Sequence, residues 1–496
     1  MIQVSGLSLA YHGDFLFEDA FFNIGKGERL ALVGRNGMGK SSLIRLLIGE
    51  ETPDKGVIAK RKNYIIGTLN QHLVFTRPTL IEEAALGLKA EEKDLIYKAE
   101  AILFGLGFKE QDLDKPPGEF SGGYQLRLQL AKVLVGEPDC LLLDEPTNYL
   151  DIVSIQWLKE FLLDWPGEFM LISHDRDFLD SVCNHTIGIH RQKILKVKGG
   201  TSQFYEQIML QEEIHEKTRV NLEKKRDHLQ GFIERFGAKA NKASQAQSKQ
   251  KQLNRMPALE SLKNLYNLNF EFSTAPFPGK KMLEVENLSF SYDPTLLPLI
   301  EKFSLRVEKG ERIAIIGKNG RGKSTILRLL SGELDPIKGQ VIPSENISIG
   351  YFGQTNIDRL HPKHTIEDEI GSANPKLNRT EVKGICGLMM FSGDKSNKPN
   401  SVLSGGEKSR VLLGKILAKP CNLLLLDEPT HHLDVESIEA LLDAIEDFEG
   451  AVMIVTHSEL ILKRMALNKI IICHEGKQKM HMGTYEELLE KNPCWD

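Results

Sequence analysis

The stretch that decides the fold is GRNGMGKS, Gly34 to Ser41, and it returns as GKNGRGKS at Gly317 to Ser324. Both copies fit the pattern GxxxxGK[ST], in which backbone amides wrap phosphate groups while the lysine meets the β and γ oxygens. At ordinary glycine and lysine frequencies a chance match arises in roughly one of fifty chains of this size, so coincidence is negligible for two. The candidate phosphate-binding residues are Gly34, Arg35, Asn36, Gly37, Met38, Gly39, Lys40 and Ser41, with Gly317, Lys318, Asn319, Gly320, Arg321, Gly322, Lys323 and Ser324.

The other motifs repeat at the same spacing as these loops. Lys40 and Lys323 lie 283 residues apart. The same offset relates Gln71 to Gln354, Ser121 to Ser404, Asp144 to Asp427, Glu145 to Glu428 and His174 to His457. A repeat of this length predicts two domains rather than a solenoid, so the function depends on two nucleotide-handling modules acting together.

Each half combines buried strands with the helices that follow them. The apolar runs ERLALVG and ERIAIIG end at the glycine-rich loops, and SSLIRLL and STILRLL continue as predicted helices. The runs CLLLDEP and NLLLLDEP place acidic residues where parallel strands end and ligands bind. We predict an α/β fold with two P-loop modules, residues 1–206 and 282–496, joined by a charged helical-hairpin linker, residues 207–281.

Composition limits the class of protein. The chain has 496 residues, of which 41% are hydrophobic and 26% charged, as is typical of globular domains. No apolar run approaches the roughly 18 residues of a membrane span, and no secretory signal is visible at the N-terminus, so we expect a cytoplasmic protein without a membrane span. The six cysteines lack paired CxxC spacing, which favours reduced thiols over a metal site.

The linker has a composition of its own. Gln207–Phe236 is free of proline and has an imperfect helical stripe of apolar residues, and Gly237 is a plausible break before a second helix, Ala238–Arg255. Between Lys217 and Arg255 there are eleven Lys or Arg residues and three acidic ones, inside a chain whose net charge is −5. The segment is either a solvated helical spacer or a local RNA- or DNA-binding surface.

Carboxylates follow the buried strands of both halves. Asp144 and Asp427 are predicted to hold Mg²⁺, and the next residues, Glu145 and Glu428, to orient or deprotonate the attacking water. A surface carboxylate with no chemical role is the alternative. The same arrangement in both copies, after a strand and before Pro-Thr, disfavours it.

Two SGG motifs, Ser121-Gly122-Gly123 and Ser404-Gly405-Gly406, each precede a helical pattern, and a helix N-terminus suits γ-phosphate binding. Here the chain resembles the ATP-binding cassette ATPases, in which this signature loop completes the ATP site of the opposite cassette. The resemblance implies two ATP sites between head-to-tail cassettes of one monomeric chain. Site one joins Lys40, Ser41, Gln71, Asp144, Glu145 and His174 to Ser404 and Gly406. Site two joins Lys323, Ser324, Gln354, Asp427, Glu428 and His457 to Ser121 and Gly123.

Further site residues are assigned by the resemblance. His174 and His457 follow apolar strands, and in the family such a histidine contacts the γ-phosphate, although a satisfied structural histidine is the alternative. Tyr11 and Tyr292 stand where the family stacks a ring on adenine, but aromatic residues are also common in strand packing. The implied Mg²⁺ ligands are Ser41, Gln71, Asp144, Ser324, Gln354 and Asp427.

Tandem cassettes with a charged helical linker and no membrane span resemble the ABC-F family, whose members are implicated in ribosome-associated translation control. The resemblance implies an ATP-dependent ribosome-binding factor that uses ATP and Mg²⁺ and directs its linker toward tRNA or rRNA. The candidate phosphate contacts on RNA are Lys239, Lys242, Lys249, Lys251 and Arg255.

The sequence of the second half departs from the usual family motifs at two places. It reads THHLD, residues 430–434, where the first half reads TNYLD, residues 147–151, and asparagine is the usual residue at the first variable position. It also reads THSELIL where the first half reads SHDRDFL. We hypothesise that site two hydrolyses ATP more slowly than site one.

Two other classes of protein remain open. The ATPase subunit of a membrane transporter would need a separate membrane protein, and it gives the basic hairpin no evident use. A DNA-maintenance ATPase would also suit a basic hairpin. Binding to ribosomes, to an integral membrane partner or to branched DNA distinguishes the three.

Overall fold

The computed structural model describes most of the chain. The described residues are 1–11, 14–35, 37–69, 74–89, 92, 94–148, 150–236, 248–249, 251, 270–293, 297–353, 360–430, 433, 435–474 and 476–491. They fall into two compact units, Met1–Lys198 together with Leu268–Asp496, and Gly199–Asn267. Both P-loop modules therefore belong to the larger unit. In the described ranges no helix is both long and apolar enough to cross a membrane.

The first module alternates strands and helices. Its strands are β1 (Ile2–Tyr11), β2 (Asp14–Ile24), β3 (Arg29–Val33), β4 (Lys55–Lys60), β5 (Ile66–Leu69), β6 (Cys140–Asp144), β7 (Glu168–Ile172), β8 (His185–His190) and β9 (Lys193–Lys198). Its helices are α1 (Lys40–Ile48), α2 (Leu80–Ala85), α3 (Ile96–Gly105), α4 (Gly122–Val135), α5 (Ile152–Asp164) and α6 (Arg176–Val182). The helix α7 (Thr201–Phe236) belongs to the smaller unit.

The second module repeats this order. Its strands are β10 (Lys281–Phe290), β11 (Ile300–Glu308), β12 (Arg312–Gly317), β13 (Lys338–Pro343), β14 (Ile349–Phe352), β15 (Leu423–Asp427), β16 (Ala451–Val455), β17 (Lys469–Cys473) and β18 (Gln478–Met482). Its helices are α8 (Lys323–Leu330), α9 (Ile366–Gly371), α10 (Arg379–Leu388), α11 (Gly405–Ala418), α12 (Val435–Asp447), α13 (Glu459–Arg464) and α14 (Tyr485–Lys491).

Each module contains one large and one small sheet. The large sheets have the orders β5-β6-β7-β3-β8-β9 and β14-β15-β16-β12-β17-β18, and only the last strand of each is antiparallel to its neighbour. The small sheets, β2-β1-β4 and β11-β10-β13, are antiparallel. The predicted α/β fold with two P-loop modules is confirmed, and the carboxyl ends of β3, β6 and β7 meet at one edge of the sheet, where ligands bind in such folds.

Burial on both faces explains why the central strands are continuous apolar runs. In β12 the side chains of Ile313 and Ile315 enter the cluster shared with the small sheet. Ala314 and Ile316 enter the opposite cluster, which contains helices of the second module. Successive side chains of a strand point to opposite faces, so a strand covered on both sides needs apolar residues throughout.

The smaller unit is described mainly by its long helix. The helix predicted from Gln207 to Phe236 is confirmed, although it begins earlier, at Thr201, and its 36 residues span about 54 Å. Arg219 supports it locally, with ion pairs to Glu216 at 2.7 Å and Glu223 at 2.9 Å. The predicted break at Gly237 and most of the second helix, Ala238–Arg255, lie outside the described residues. The same is true of Lys239, Lys242 and Arg255, whereas Lys249 and Lys251 are helical and exposed.

Contacts between the two modules include the residues that follow β7 and β16. The Ser458 hydroxyl donates to the Asp175 carboxylate at 3.4 Å. These two positions are 283 residues apart, so each faces its own counterpart, as expected on a pseudo-twofold axis between the modules. Arg176 forms an ion pair with Glu439 across the same interface. Ile152 of the first module packs into a hydrophobic cluster that consists mainly of second-module residues.

We expect the substitution Ser458→Asp to push the modules apart. Burial raises the pKa of the Asp175 carboxyl, and a second carboxylate about 4 Å away adds a repulsion of about 4 kcal/mol at an effective dielectric constant of 20. Small-angle X-ray scattering of the full chain at neutral pH should show a larger radius of gyration. Ser458→Ala is the control, because it removes only the hydrogen bond. A radius equal to that of the unaltered protein in Ser458→Asp would contradict the axial contact.

Candidate active site

The two P-loops place their lysines in the same way. Lys40 Nζ donates to the carbonyl oxygens of Gly34 at 2.7 Å and Arg35 at 3.2 Å. In the second module Lys323 Nζ donates to the carbonyl oxygens of Gly317 at 2.9 Å and Lys318 at 3.1 Å. Each ammonium therefore sits inside its own loop, where it can meet the phosphates that the loop wraps.

Each P-loop turns into its helix at a glycine with a left-handed backbone. The φ angles are 93° at Gly39 and 88° at Gly322. Glycine reaches this region without steric cost, and a Cβ atom at Gly39 would lie 2.8 Å from Leu16 Cδ1. The turn brings the first amides of α1 and α8 toward the loop. Asn36 lies outside the described residues.

Oxygen donors suited to Mg²⁺ lie beside each P-loop. The Ser41 side chain lies beside Asp144, and the Ser324 side chain lies beside Asp427. Burial raises the pKa of both carboxyls, although the serine hydroxyls and the nearby lysines oppose the shift. Hydroxyl and carboxylate oxygens are ligands that Mg²⁺ prefers, so these residues fit the predicted metal site. Gln71 and Gln354, the other predicted ligands, lie outside the described residues.

The glutamate of the first module is held by two side chains. His174 Nε2 lies 2.6 Å from Glu145 Oε1, and Asn148 Nδ2 donates to Glu145 Oε2 at 3.1 Å. Burial alone favours the neutral carboxyl, but His174, Lys40 and Asn148 outweigh it and lower the pKa of Glu145. Its φ angle of 54° is left-handed, a backbone conformation that is uncommon outside glycine and often found at functional sites.

In the second module the histidine lies farther from the glutamate. His457 Nε2 lies 3.4 Å from Glu428 Oε1. Burial and the neighbouring Asp427 raise the pKa of Glu428, and Lys323 opposes this shift only in part. The left-handed backbone is repeated, with φ of 48° at Glu428. The counterpart of Asn148 is His431, which lies outside the described residues.

The first P-loop and the second SGG motif share one cavity of about 950 Å³. The first module contributes Tyr11, Lys40, Ser41, Asp144, Glu145 and His174 to its lining. The second module contributes Ser404, Gly405 and Gly406, together with Lys395, Lys398 and Arg410. The structure therefore brings together the described residues predicted for site one, from both halves of the chain.

The second P-loop opens into a cavity of about 600 Å³. In the part of the chain that the structure describes, its lining comes from the second module alone, including Tyr292, Lys323, Ser324, Asp427, Glu428 and His457. Ser121, Gly122 and Gly123 are described but do not line it. A first-module contact does reach the loop, because the Asn319 amide donates to Asp151 Oδ2 at 3.3 Å. The pairing of Ser121 and Gly123 with site two stays a prediction.

The two SGG helices begin differently. At α11 the Ser404 hydroxyl accepts from the Glu407 amide at 3.3 Å, and the Glu407 carboxylate accepts from the Ser404 amide at 2.9 Å. This capping box satisfies two backbone donors of the helix end. At α4 the third helical residue is Tyr124, which has no carboxylate to return the contact, and the Ser121 side chain makes no capping hydrogen bond.

A small polar cavity separates the two catalytic centres. It has a volume of about 60 Å³ and is bordered by His174, Asp175, His457 and Ser458. His174 also lines the first nucleotide cavity, and His457 lines the second. The cavity is large enough for one or two waters between polar groups. The two histidines therefore border both their own site and a space shared by the modules.

The two tyrosines lie at the cavity margins with exposed rings. Tyr11 is 41% exposed and hydrogen-bonds to Glu51, and Tyr292 is 60% exposed. The Tyr292 hydroxyl lies 3.2 Å from the hydroxyl oxygen of Thr325 and accepts from Arg328 at 3.1 Å. Core packing is therefore not what holds either ring, and stacking on adenine stays a prediction.

Several residues of the site escaped the sequence analysis. Asn148 contacts Glu145, and Asp151 contacts the second P-loop. The first cavity is also lined by Lys395, Lys398 and Arg410. A comparison of each residue with its counterpart 283 positions away would have identified some of them as differences between the two halves. Lys395, for example, stands where the first half has Asp112. The spacing of a motif alone does not indicate which loop reaches across an interface.

Comparison with known families agrees with this geometry. A family model described as ABC transporter matches residues 17–148 and 300–431. A second model with the same description matches residues 187–272. The two matches of the first model correspond to the two modules, and the match of the second model includes the helix α7.

Solved structures support the fold. The archaeal ribosome recycling factor aABCE1, solved with the ribosomal stalk protein aP1, superimposes with a TM-score of 0.64 at 19% identity, covering 98% of this chain and 92% of that one. The RNase-L Inhibitor gives a TM-score of 0.62 at 20% identity, covering 98% and 93%. At these identities the likeness shows a shared tandem architecture.

Relatives at higher identity cover nearly the whole chain. The putative ATP-binding protein YdiF of Bacillus subtilis is 34% identical over 536 residues, which cover 99% of this chain and 83% of that protein. ABC transporter F family member 5 of Arabidopsis thaliana is 32% identical, with 99% and 77% covered. ATP-binding cassette sub-family F member 3 of Mus musculus is 32% identical, with 98% and 73% covered. The chain belongs to the ABC-F family, and it is an ATPase with two ATP-binding cassettes.

Proposed function

We propose that the protein is a cytoplasmic translation factor that binds the ribosome when ATP closes its cassettes and leaves after hydrolysis. The observation that carries the proposal is the shared cavity of site one, lined by the P-loop of one cassette and the SGG motif of the other. A nucleotide bound in this cavity would contact both cassettes, so its binding would favour the state in which the cassettes are in contact. The solved protein aABCE1, which has the same fold, is a ribosome recycling factor, and this adds support.

The residues of site one divide the chemical work. Lys40 and the P-loop amides bind the phosphates, and Ser404 with Gly406 bind them from the opposite cassette. Ser41, Asp144 and Gln71 would hold Mg²⁺, which when bound neutralises charge on the phosphate oxygens. Glu145 accepts the proton of the attacking water, and His174 contacts the γ-phosphate. Asn148 fixes the second oxygen of Glu145 and so orients the carboxylate.

Site two contains the same parts in a looser arrangement. Lys323, Ser324, Asp427, Glu428 and His457 line its cavity. The separation of histidine and glutamate is 3.4 Å, against 2.6 Å in site one. We infer that site two completes itself with Ser121 and Gly123 when the cassettes close fully, and that it turns over more slowly than site one.

The linker supplies the RNA-binding part of the proposal. Its excess of Lys and Arg over acidic residues stands in a chain with a net charge of −5, so positive charge is concentrated in this segment. Lys239, Lys242, Lys249, Lys251 and Arg255 would contact phosphates of tRNA or rRNA without reading base sequence. The protein would act as a monomer, because one chain holds both cassettes at an effective concentration on the order of millimolar.

Substitution of Asn148 should slow the chemical step at site one. Asn148→Ala removes the hydrogen bond that orients Glu145, and the loss of such a contact with a charged group should lower kcat about tenfold without raising KM for ATP. Gln156→Ala is the matched control, because the side-chain amide of Gln156 donates to the exposed Glu160 on helix α5, away from Glu145. Steady-state phosphate release measures both constants. An unchanged kcat in Asn148→Ala would show that Glu145 needs no such support.

The two sites should contribute unequally to turnover. Glu145→Gln and Glu428→Gln each remove a general base, whose contribution is typically about 10²- to 10⁴-fold, so each single variant reports mainly the other site. We expect Glu145→Gln to lose the larger share of ATPase activity. The double variant sets the background rate. Equal losses in the two single variants would contradict the proposed asymmetry.

Ribosome binding should depend on trapped ATP. The Glu145→Gln/Glu428→Gln protein should sediment with purified ribosomes in the presence of ATP and stay in the supernatant with ADP. The control adds Lys40→Ala and Lys323→Ala, which remove both P-loop lysines. Absence of nucleotide-dependent sedimentation would count against the translation role. Stimulation of the ATPase by branched DNA but not by ribosomes would favour a DNA-maintenance role instead.

A further inference from the structure

Three basic side chains of the second cassette enter the wall of the first nucleotide cavity. They are Lys395, Lys398 and Arg410, and they line it together with Lys40 of the opposite cassette. Arg410 is held in place by Phe391, with its guanidinium carbon 5.0 Å from the ring centroid. The two lysines belong to the loop that precedes the SGG motif, and both are exposed.

No carboxylate of the described residues neutralises either lysine. Among the described residues, no carboxylate oxygen lies within 4 Å of Lys395 Nζ or Lys398 Nζ. Two of the three carboxylates that line the cavity have other partners: Glu407 accepts from the Ser404 amide at 2.9 Å, and Glu145 lies 2.6 Å from His174. Positive charge is therefore available to an anion that enters from solution.

The equivalent loop of the first cassette is arranged in the opposite way. Lys395 corresponds to Asp112 and Lys398 to Lys115, and these two first-cassette residues pair with each other at 2.7 Å. Arg410 corresponds to Arg127, whose guanidinium carbon lies 4.3 Å from the Trp157 ring and 4.8 Å from the Tyr124 ring. The first-cassette loop that would close over site two thus contains a lysine paired with an aspartate. The corresponding second-cassette loop at site one contains two lysines.

We propose that Lys395 and Lys398 are nucleotide-binding residues of site one, and that they make it the tighter of the two sites for a nucleoside triphosphate. The inference rests on the composite site one of the proposed function. Because both lysines lie on the opposite cassette from the P-loop, they reach the nucleotide only when the cassettes are together. They favour triphosphate over diphosphate, since the additional phosphate carries the additional negative charge. ATP binding and cassette closure are therefore coupled more strongly at site one than at site two.

The experiment measures binding to site one alone. The starting protein carries Glu145→Gln and Glu428→Gln, which prevent hydrolysis, and Lys323→Ala, which weakens nucleotide binding at the second P-loop. The probes are the fluorescent nucleotides mant-ATP and mant-ADP. Lys395→Gln/Lys398→Gln should raise the Kd for mant-ATP about tenfold, from two partly exposed charge contacts, and change that for mant-ADP much less. Raising the salt concentration should shrink the difference, because salt screens such contacts.

The matched control is Lys115→Gln, which removes the same charge from the equivalent position of the first cassette. Its Kd for mant-ATP should be unchanged. In the hydrolysing protein, Lys395→Gln/Lys398→Gln should raise KM for ATP and leave kcat unaltered, an effect that general destabilisation of the fold would not produce. An unchanged Kd for mant-ATP in the double lysine variant overturns the inference. Equal weakening by Lys115→Gln overturns it as well, because the effect would then be one of net charge.

The result is separable from the test of ribosome binding. If the lysine variant binds mant-ATP normally while the trapped protein still sediments with ribosomes, the inference fails and the proposed function stands. If the lysine variant loses affinity as expected while no nucleotide-dependent sedimentation is seen, the role of the lysines stands and the translation role fails.

Discussion

Each cassette has two adjacent carboxylates at the end of a buried strand, and the residues around them must stabilise both of these buried acidic groups. Asp144 and Glu145 both lie at the carboxyl end of β6, and burial penalises charge on both. The two carboxylates have different neighbours: Asp144 lies beside Ser41, and Glu145 lies 2.6 Å from His174. The backbone at Glu145 is left-handed, an unfavourable conformation that accompanies the placement of two consecutive acidic residues beside two different neighbours.

The second cassette meets the same requirement less completely. Its glutamate repeats the unusual backbone, but the histidine stands farther from it and burial dominates the shift of its pKa. Differences between the two halves at positions near this chemistry include Asn148 and His431, Tyr124 and Glu407, and Asp175 and Ser458. Repetition of the fold therefore does not require repetition of the rate, and the asymmetry that we propose would depend on a few contacts within a common framework.

The sequence was sufficient where the relevant physics is local. The apolar runs that became β3, β6 and β12 are uninterrupted because both faces of the large sheet are covered, and the P-loop pattern specifies its own turn through Gly39 and Gly322. It was insufficient where a residue acts across the interface. Lys395 lies in a charged loop with no periodic pattern, and only the packing of one cassette on the other shows that it enters a nucleotide cavity. Most of the second linker helix remains a prediction from composition.

At the interface between the cassettes, position 175 faces its counterpart, position 458, and this affects which cassettes can associate. Any residue on such an axis meets a copy of itself when two identical cassettes associate. A homodimer of detached first cassettes would oppose two buried aspartates at position 175, whereas the tandem chain opposes aspartate to the serine at 458. This one pair of side chains thus favours association of the first cassette with the second over association of two copies of the first cassette.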